Sequence, residues 1–223
     1  MKKYFVSGID TDVGKTYVTG ILLKYLKSVN CNSLSIKPIQ TGCKGISEDI
    51  LLHRKISKSE LTTFDEDLTT SPYVFKFPAS PHLSSELEKI KIDSTHIEKS
   101  INKVAKSYDI TLIEGAGGLF VPFFDTYTTI DFLKSNRDIG VILVTTPKLG
   151  SINHTLLSLY TLKNENIKIE GIIYNKFGDY DKVIAYDTFE KISQFIEKWK
   201  IDSPFIEVSD IEGDYNFSKI FKG

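Results

Sequence analysis

One short stretch near the amino terminus constrains the fold more than any other part of the chain. The β-prone residues 4–7 (YFVS) lead into residues 8–16 (GIDTDVGKT), and a segment with apolar residues at helical spacing follows. Glycines let backbone N–H groups approach phosphate oxygens, and the start of a helix adds partial positive charge. In such a loop Lys15 reaches the outer phosphates, and the Thr16 hydroxyl can ligate Mg²⁺. The segment therefore predicts a nucleoside triphosphate site between a strand and a helix.

This loop is one residue wider than the common phosphate-binding pattern, because five residues separate Gly8 from Gly14. The usual pattern has four residues between these glycines. The alternative interpretation is a glycine-rich turn with a solvated lysine. The strand before the loop and the helix after it favour the phosphate site, since together they aim backbone amides at an anion.

The hydrophobic pattern of the rest of the chain alternates between helical and strand-like segments. Near-continuous apolar strands separated by helices predict an α/β fold with a doubly wound, mostly parallel sheet covered on both faces. We expect one domain over residues 1–223, with ligands at the carboxyl ends of the strands. Residues 62–85 predict a long loop that lines or covers the site. We predict helices at residues 18–29, 97–108, 152–162 and 184–199, and strands at residues 34–36, 110–113, 141–144, 172–174 and 205–208.

Composition narrows the classes of partner. The net charge is −1 and no long basic run occurs, so we expect neither a nucleic-acid nor a membrane partner, and small molecules are the expected ligands. The two cysteines, Cys31 and Cys43, are too few for a disulfide framework. The sequence begins MKK and enters a strand without a signal-peptide pattern, and it lacks an 18-residue apolar run. We therefore expect a cytoplasmic protein.

Polar residues follow several predicted strands, where a doubly wound sheet would bring them together with Lys15 and Thr16. The segments concerned are residues 37–42, 114–118 and 147–153. Lys37 precedes a proline, which keeps its backbone extended and aims its ammonium group. The alternative for Lys37 is an ordinary surface lysine at a strand end.

Two carboxylates are candidate metal ligands. Glu114 ends an apolar strand and is followed by Gly-Ala-Gly-Gly, so its carboxylate can hold Mg²⁺ while the glycine amides face a developing anion. The alternative is a helix-capping acid with glycines that permit a turn. Asp49 can supply a second carboxylate, or it can be an acidic residue in the first turn of a helix.

The four histidines are scattered without metal-ligand spacing, which disfavours a zinc site and a Ser/His/Asp triad. We predict no role for any of them. They are His53, His82, His96 and His154.

Five segments together resemble the dethiobiotin synthetase family, whose members close a cyclic urea on a vicinal diamine. They are residues 8–16, 37–42 (KPIQTG), 80–82 (SPH), 114–118 (EGAGG) and 148–154 (KLGSINH). The wide loop is a feature of that family, and the likeness runs through most of the chain. The resemblance implies a P-loop α/β fold, a homodimer, Mg²⁺, and ATP as co-substrate. It further implies 7,8-diaminopelargonate and CO₂ as substrates, with ADP and phosphate as by-products.

The resemblance also implies roles for individual residues. The implied metal ligands are Thr16, Asp49 and Glu114, and the implied catalytic residues are Lys37 and Lys15. The implied nucleotide contacts are Asp12, Val13, Gly14, Lys15, Thr16, Tyr17, Asp49, Glu114, Gly115, Ala116, Gly117, Asn175, Lys176, Ser209, Asp210 and Ile211. Within that set Asn175 stands at the place of the adenine-binding asparagine, and the family usually has a proline where Ser209 stands. The implied substrate contacts are Thr41, Gly117, Gly118, Gly150, Ser151 and Asn153, of which the last three would serve the partner subunit's site.

Three other functions fit parts of the pattern. A partition-type switch ATPase carries an additional lysine early in the loop, whereas residues 9–13 (IDTDV) contain none. An amide ligase of the cobyrinate type usually carries a glutaminase domain, for which 223 residues are too few. A nucleotide-binding module without catalysis leaves Lys37 and Glu114 unexplained.

Overall fold

A computed structural model describes residues 1–221, so the last two residues of the predicted 1–223 domain lie outside it. A six-stranded sheet forms the centre, in the order β10-β9-β8-β1-β5-β2, and all its adjacent pairs are parallel. The strands are β1 (Lys2–Gly8), β2 (Ser33–Ile36), β3 (Ile39–Gln40), β4 (Tyr73–Val74), β5 (Ile110–Glu114), β6 (Pro122–Phe124), β7 (Tyr127–Thr128), β8 (Ile139–Thr145), β9 (Ile169–Asn175) and β10 (Phe205–Val208). The helices are α1 (Lys15–Ser28), α2 (Glu48–Ser57), α3 (Thr63–Glu66), α4 (Pro81–Glu88), α5 (Ser94–Ala105), α6 (Thr129–Ser135), α7 (Ser151–Asn164) and α8 (Lys182–Lys198).

The central strand β1 shows why the strands are apolar throughout. Tyr4 and Val6 pack on one face of the sheet in a cluster that includes Leu22 of α1. Phe5 points to the other face, where its cluster includes Ile101 of α5. Successive side chains of a strand point to opposite faces, so helices on both faces require apolar residues at nearly every position. The predicted doubly wound parallel sheet is confirmed.

The strand order places the crevice of the sheet at the carboxyl end of β1. The chain crosses from β1 to β2 on one side, and it later fills the other side with β8, β9 and β10. Ligands of open α/β sheets bind outside the carboxyl ends of the strands where the order reverses. Residues 8–16 begin at that point.

The prediction of one long loop at residues 62–85 is wrong. This segment contains α3, β4 and the start of α4. Thr62 and Asp65 form a capping box that starts α3, and Pro81 is accommodated in the first turn of α4, where its missing N–H costs no helical hydrogen bond. Residues 78–81 do line the main cleft, as expected for part of the segment. Among residues 1–221 no helix is both long and apolar enough to span a membrane.

Candidate active site

The glycine-rich loop wraps around the start of α1. Gly14 is the residue before the helix and has a φ of 85°, a conformation that glycine adopts without strain. A Cβ at this position would lie 2.1 Å from Asn175 Nδ2. The Asn175 side chain donates from Nδ2 to the carbonyl of Val13 at 2.8 Å and accepts at Oδ1 from the amide of Phe177 at 3.1 Å. The end of β9 is therefore locked against the loop.

Lys15 is held over this loop by a neutral acceptor. Its Nζ donates to the carbonyl of Asp10 at 3.0 Å, and its side chain is buried. Burial, together with the nearby charge of Lys37, lowers the pKa of Lys15 to about 8. An incoming phosphate would give this ammonium group a stronger, charged acceptor than the carbonyl.

Lys37 bridges two carboxylates, one at the carboxyl end of β5 and one in the first turn of α2. Its Nζ lies 2.9 Å from Glu114 Oε1 and 2.7 Å from Asp49 Oδ2, and it donates to the carbonyl of Gly115 at 3.1 Å. Burial disfavours the charged forms of Lys37 and Glu114, but the attraction between the opposite charges outweighs this effect. The pKa of Glu114 is held well below its usual range by Lys37 and His53, and the pKa of Lys37 is raised by the two carboxylates. The bridge is therefore an ion pair.

Three oxygen-bearing side chains converge beside this bridge in a way that suits Mg²⁺. The Thr16 hydroxyl lies 3.1 Å from Asp49 Oδ1 and 3.0 Å from Glu114 Oε1. A hydroxyl carries a single proton, so it can donate to only one of these carboxylates at a time. Mg²⁺ prefers a few oxygen ligands from protein together with phosphates and waters. The donor set fits that ion, whereas residues 1–221 hold no group of three or more His, Cys, Asp or Glu side chains suited to a metal.

A cleft of about 670 Å³ opens above these groups. It is lined by residues of the loop, by the Lys37 bridge and by residues 78–81. The sequence-predicted residues that line it are Asp12, Gly14, Lys15, Thr16, Tyr17, Lys37, Thr41, Asp49, Glu114, Ala116 and Gly117. Eleven of the residues named from the sequence therefore lie around one cleft.

Other predicted residues lie beside or beyond this cleft in the described chain. Val13 is a buried residue of the loop itself, and Gly115 backs onto Phe5, where a Cβ would lie 2.6 Å from the ring. Gly118 lines a separate, smaller cavity together with His154. None of these three residues is among those that line the cleft in the described chain.

The two remaining groups of predicted residues come from later elements. Gly150, Ser151 and Asn153 form the start of α7 and are not among the residues that line the cleft within the described chain. Lys176 pairs with Glu207 at 2.9 Å.

The loop after β10 is organised by a tyrosine. The Tyr215 hydroxyl accepts from the amide of Ser209 at 2.9 Å and from the amide of Asp210 at 3.0 Å, just before Ile211. A proline at position 209 would lack the first of these N–H groups. The serine at position 209, where the resemblance implies a proline, is therefore matched by a local hydrogen bond.

His53 contacts the site, although the sequence analysis predicts no role for it. Its Nε2 lies 2.7 Å from Glu114 Oε2 and its Nδ1 lies 2.9 Å from Ser35 Oγ, in a fully buried position. His53 follows Asp49 by four residues on α2, which places both side chains on one face of the helix. That spacing indicates that the acidic residue and the histidine share a helix face, but it does not reveal Glu114 as the partner of His53.

Comparisons with known proteins agree with this geometry. A family model described as an AAA domain matches residues 2–201. The ATP-dependent dethiobiotin synthetase BioD 2 of Pasteurella multocida is 45% identical, over 94% of this chain and 98% of its own length. Its counterpart from Haemophilus influenzae is 49% identical, over 82% of this chain and 96% of its own length. The ATP-dependent dethiobiotin synthetase BioD of Chlorobaculum tepidum is 40% identical, over 92% of this chain and 85% of its own length.

Solved structures agree on the fold. A ParA family ATPase from Chlorobium tepidum TLS superposes with a TM-score of 0.55 at 16% identity, over 95% of this chain and 86% of that chain. A MinC:MinD cell division protein complex of Aquifex aeolicus gives a TM-score of 0.55 at 16% identity, over 92% of this chain and 81% of that chain. Likeness at such identity shows only the shared architecture, while the curated relatives show the family. This chain belongs to the ATP-dependent dethiobiotin synthetase family.

Proposed function

We propose that this protein converts 7,8-diaminopelargonate and CO₂ to dethiobiotin, with cleavage of ATP to ADP and phosphate. It is a cyclo-ligase that forms carbon–nitrogen bonds. The observation that carries the proposal is the placement of Lys37, Asp49 and Glu114 around Thr16 of the phosphate-binding loop. This arrangement sets a cation and an oxygen donor set at the point where the outer phosphates of ATP would lie.

The reaction needs no protein nucleophile. One amine of the diamine captures CO₂ as a carbamate, and a carbamate oxygen attacks the γ-phosphorus of ATP and displaces ADP. The second amine then attacks the carbon of this carbamic–phosphoric anhydride and expels phosphate, which closes the cyclic urea. Phosphoryl transfer of this kind depends on positioning and on stabilisation of charge.

The residues of the cleft supply those two requirements. Lys15 contacts the outer phosphates, and Lys37 stabilises charge that builds on the transferring phosphoryl and carbamate oxygens. Thr41 and the amides of Gly117 and Gly118 hold the carbamate. Thr16, Asp49 and Glu114 would hold Mg²⁺, which neutralises phosphate charge when bound.

The nucleotide is proposed to lie along the loop, with the triphosphate at residues 12–17 and the base towards Asn175. The contact between Asn175 and Val13 supports this placement, because it brings the end of β9 against the loop. Adenine binding would exchange one backbone partner of the Asn175 amide for the base. Lys176 and residues 209–211 complete the pocket.

The carboxylate at the far end of the diamine is proposed to bind at the start of α7 of a partner subunit in a homodimer. Free amides at a helix start and the Asn153 side chain make an anion receptor. Apolar residues are exposed nearby: Leu149 is 88% exposed, Phe120 66% and Leu157 58%. Exposed apolar area of this kind is typical of a contact surface.

The reaction is proposed to take place in the cytoplasm. Cys31 and Cys43 are both free thiols, and reduced thiols persist in that compartment.

The test is an incubation of the protein with 7,8-diaminopelargonate, ¹³C-bicarbonate and MgATP, followed by mass analysis. We expect the cyclic urea with one ¹³C atom, one ADP for each urea, and no urea when ATP or diamine is omitted. Lys37→Ala protein serves as the matched control and should form far less product. Absence of the urea with a folded wild-type protein that binds ATP would overturn the proposal.

A further inference from the structure

We propose that His53 is a positioning residue for the Glu114 carboxylate. A buried hydrogen-bond chain behind His53, through Ser35, Arg54 and Asp65, holds the ring in the orientation in which it acts. The inference rests on the proposed role of Glu114 as a metal ligand, and it concerns the side of that carboxylate that faces away from the cleft.

The two oxygens of Glu114 have different environments. Oε1 faces the cleft side, where it meets Lys37 Nζ at 2.9 Å and the Thr16 hydroxyl at 3.0 Å. Oε2 faces the interior and meets His53 Nε2 at 2.7 Å. Neither the Glu114 nor the His53 side chain is exposed. Water therefore cannot replace the histidine as a partner for Oε2.

The ring nitrogens of His53 are assigned by Glu114. The ionised Glu114 carboxylate can only accept, so Nε2, which lies 2.7 Å from its Oε2, carries the ring proton. Nδ1 of the neutral ring is then an acceptor. Ser35 Oγ lies 2.9 Å from Nδ1 and donates its proton there, while it accepts from Arg54 Nη1 at 2.9 Å.

The far end of the chain is anchored by a bidentate ion pair. Arg54 Nη2 and Nε contact Asp65 Oδ1 and Oδ2 at 2.8 and 3.0 Å. Asp65 also accepts from the Thr70 hydroxyl at 2.8 Å and from the Thr62 amide at 2.8 Å. A planar guanidinium held in this way has little freedom to rotate, so its Nη1 stays directed at the serine.

The Glu114 carboxylate therefore has Oε2 fixed by His53, while Oε1 faces the cleft side. Without the His53 donor, Glu114 is held only through Oε1, by Lys37 and Thr16, and Oε2 loses its partner in a buried site. Loss of the group that orients a metal ligand typically weakens metal binding by about 10- to 100-fold. The same is expected here.

The test compares His53→Leu with His53→Gln. Leucine fills similar space without a donor, whereas glutamine can place an amide N–H near the position of Nε2. The probe is Mn²⁺, titrated by electron paramagnetic resonance in the presence of a non-hydrolysable ATP analogue. We expect His53→Leu to weaken Mn²⁺ binding by about 10- to 100-fold and His53→Gln to restore most of the loss. Circular dichroism verifies that both variants are folded.

Two further measurements separate positioning from general destabilisation. The ¹⁵N shifts of the His53 ring in the wild-type protein should show the proton on Nε2, and Ser35→Ala should leave it there, because the Glu114 carboxylate remains its acceptor. Protonation of Nδ1 alone in the wild type would overturn the inference, as would His53→Leu with wild-type Mn²⁺ affinity or equal loss in the leucine and glutamine variants. The tautomer measurement decides the matter even where a variant does not fold. Neither the Mn²⁺ affinity nor the ¹⁵N shifts depend on dethiobiotin synthesis. The positioning role of His53 can therefore be refuted independently of the proposed function.

Discussion

Two buried ion pairs lie on either side of His53, and they differ in how their partners are distributed. Arg54 and Asp65 satisfy each other in a bidentate pair, and the remaining acceptor sites of Asp65 are taken by Thr62 and Thr70. Lys37 instead divides its ammonium between Glu114, which is buried, and Asp49, whose side chain is 24% exposed to the cleft side.

The difference separates a structural pair from a pair arranged for ligands. Where fixed donors and acceptors saturate each other, the pair orders the chain and has no capacity for another partner. Where one ammonium and one hydroxyl are shared between two carboxylates, an incoming cation or phosphate can take over a contact without leaving a buried charge unpaired. Substitutions in the two pairs and in the residues around them test this distinction.

Asp65→Asn should mainly destabilise the fold. Removing one member of a buried pair leaves the charge of Arg54 uncompensated, which costs about 3–5 kcal/mol of unfolding free energy. Burial acts to raise the pKa of Asp65, but the Arg54 contacts hold that pKa below 3.8. A depressed carboxyl pKa stabilises the fold above the unfolded value and loses this effect as pH falls through the folded value. Urea unfolding should show a constant difference at neutral pH that shrinks below about pH 3.8. Equal stability of variant and wild type at pH 7 would contradict the structural assignment.

Lys37→Ala should mainly lower turnover. Loss of one donor to a developing charge typically reduces the rate constant by about 10²- to 10³-fold. Lys15→Ala is the matched comparison: it should lower turnover to a similar extent and should also weaken nucleotide binding, because Lys15 contacts the phosphates in the ground state. The measurements are kcat for product formation and the Kd of ATP from calorimetry. An unchanged kcat for Lys37→Ala would remove its catalytic role.

Glu114→Gln and Asp49→Asn should raise the Mg²⁺ concentration needed for activity. The effect of Glu114→Gln should be the larger, because Glu114 is buried, whereas water can partly replace the Asp49 carboxylate. Velocity is measured against free Mg²⁺ at saturating ATP and diamine. A Glu114→Gln enzyme with a wild-type Mg²⁺ titration would leave Glu114 with a turn-forming role.

Asn153→Ala should raise the Michaelis constant of the diamine by roughly tenfold, the loss expected for one exposed hydrogen bond to a carboxylate. ATP binding should stay nearly unchanged. When this variant exchanges subunits with Lys15→Ala protein, some dimers would carry both lesions at one site and neither at the other. Activity above that of both parents at low diamine concentration supports a shared site. No recovery, with exchange verified by mass spectrometry, would place the carboxylate pocket within one chain.

The sequence predicted the parts of the site that lie in consecutive residues or at strand ends. The loop at residues 8–16 carries its own spacing, and Lys37 and Glu114 each follow an apolar strand whose place in a parallel sheet is set by hydrophobic periodicity. His53 could not be found in this way, because its role arises from contacts with Ser35 and Glu114, which are 18 and 61 residues away. Such pairings depend on the rotation of α2 against the sheet.

Residues 62–85 also depend on contacts that are distant in the sequence and that local patterns do not reveal. The prolines in this segment favour a loop when the sequence is taken alone, yet Pro81 opens a helix. The short helix α3 is tied to the core by the contact of Asp65 with Arg54, which lies 11 residues earlier. Local composition predicts turns well, but it does not reveal the distant contact that stabilises a short helix.

Activation of a carbamate by ATP is tested by following one oxygen atom. Wild-type protein is given the diamine, MgATP and freshly dissolved bicarbonate labelled with ¹⁸O, and the released phosphate is analysed by mass. If a carbamate oxygen attacks the γ-phosphorus and later leaves with it, phosphate should carry one ¹⁸O atom and the cyclic urea should accumulate with it. Unlabelled phosphate without urea would show that water attacks ATP, as in a switch ATPase, and would contradict the account.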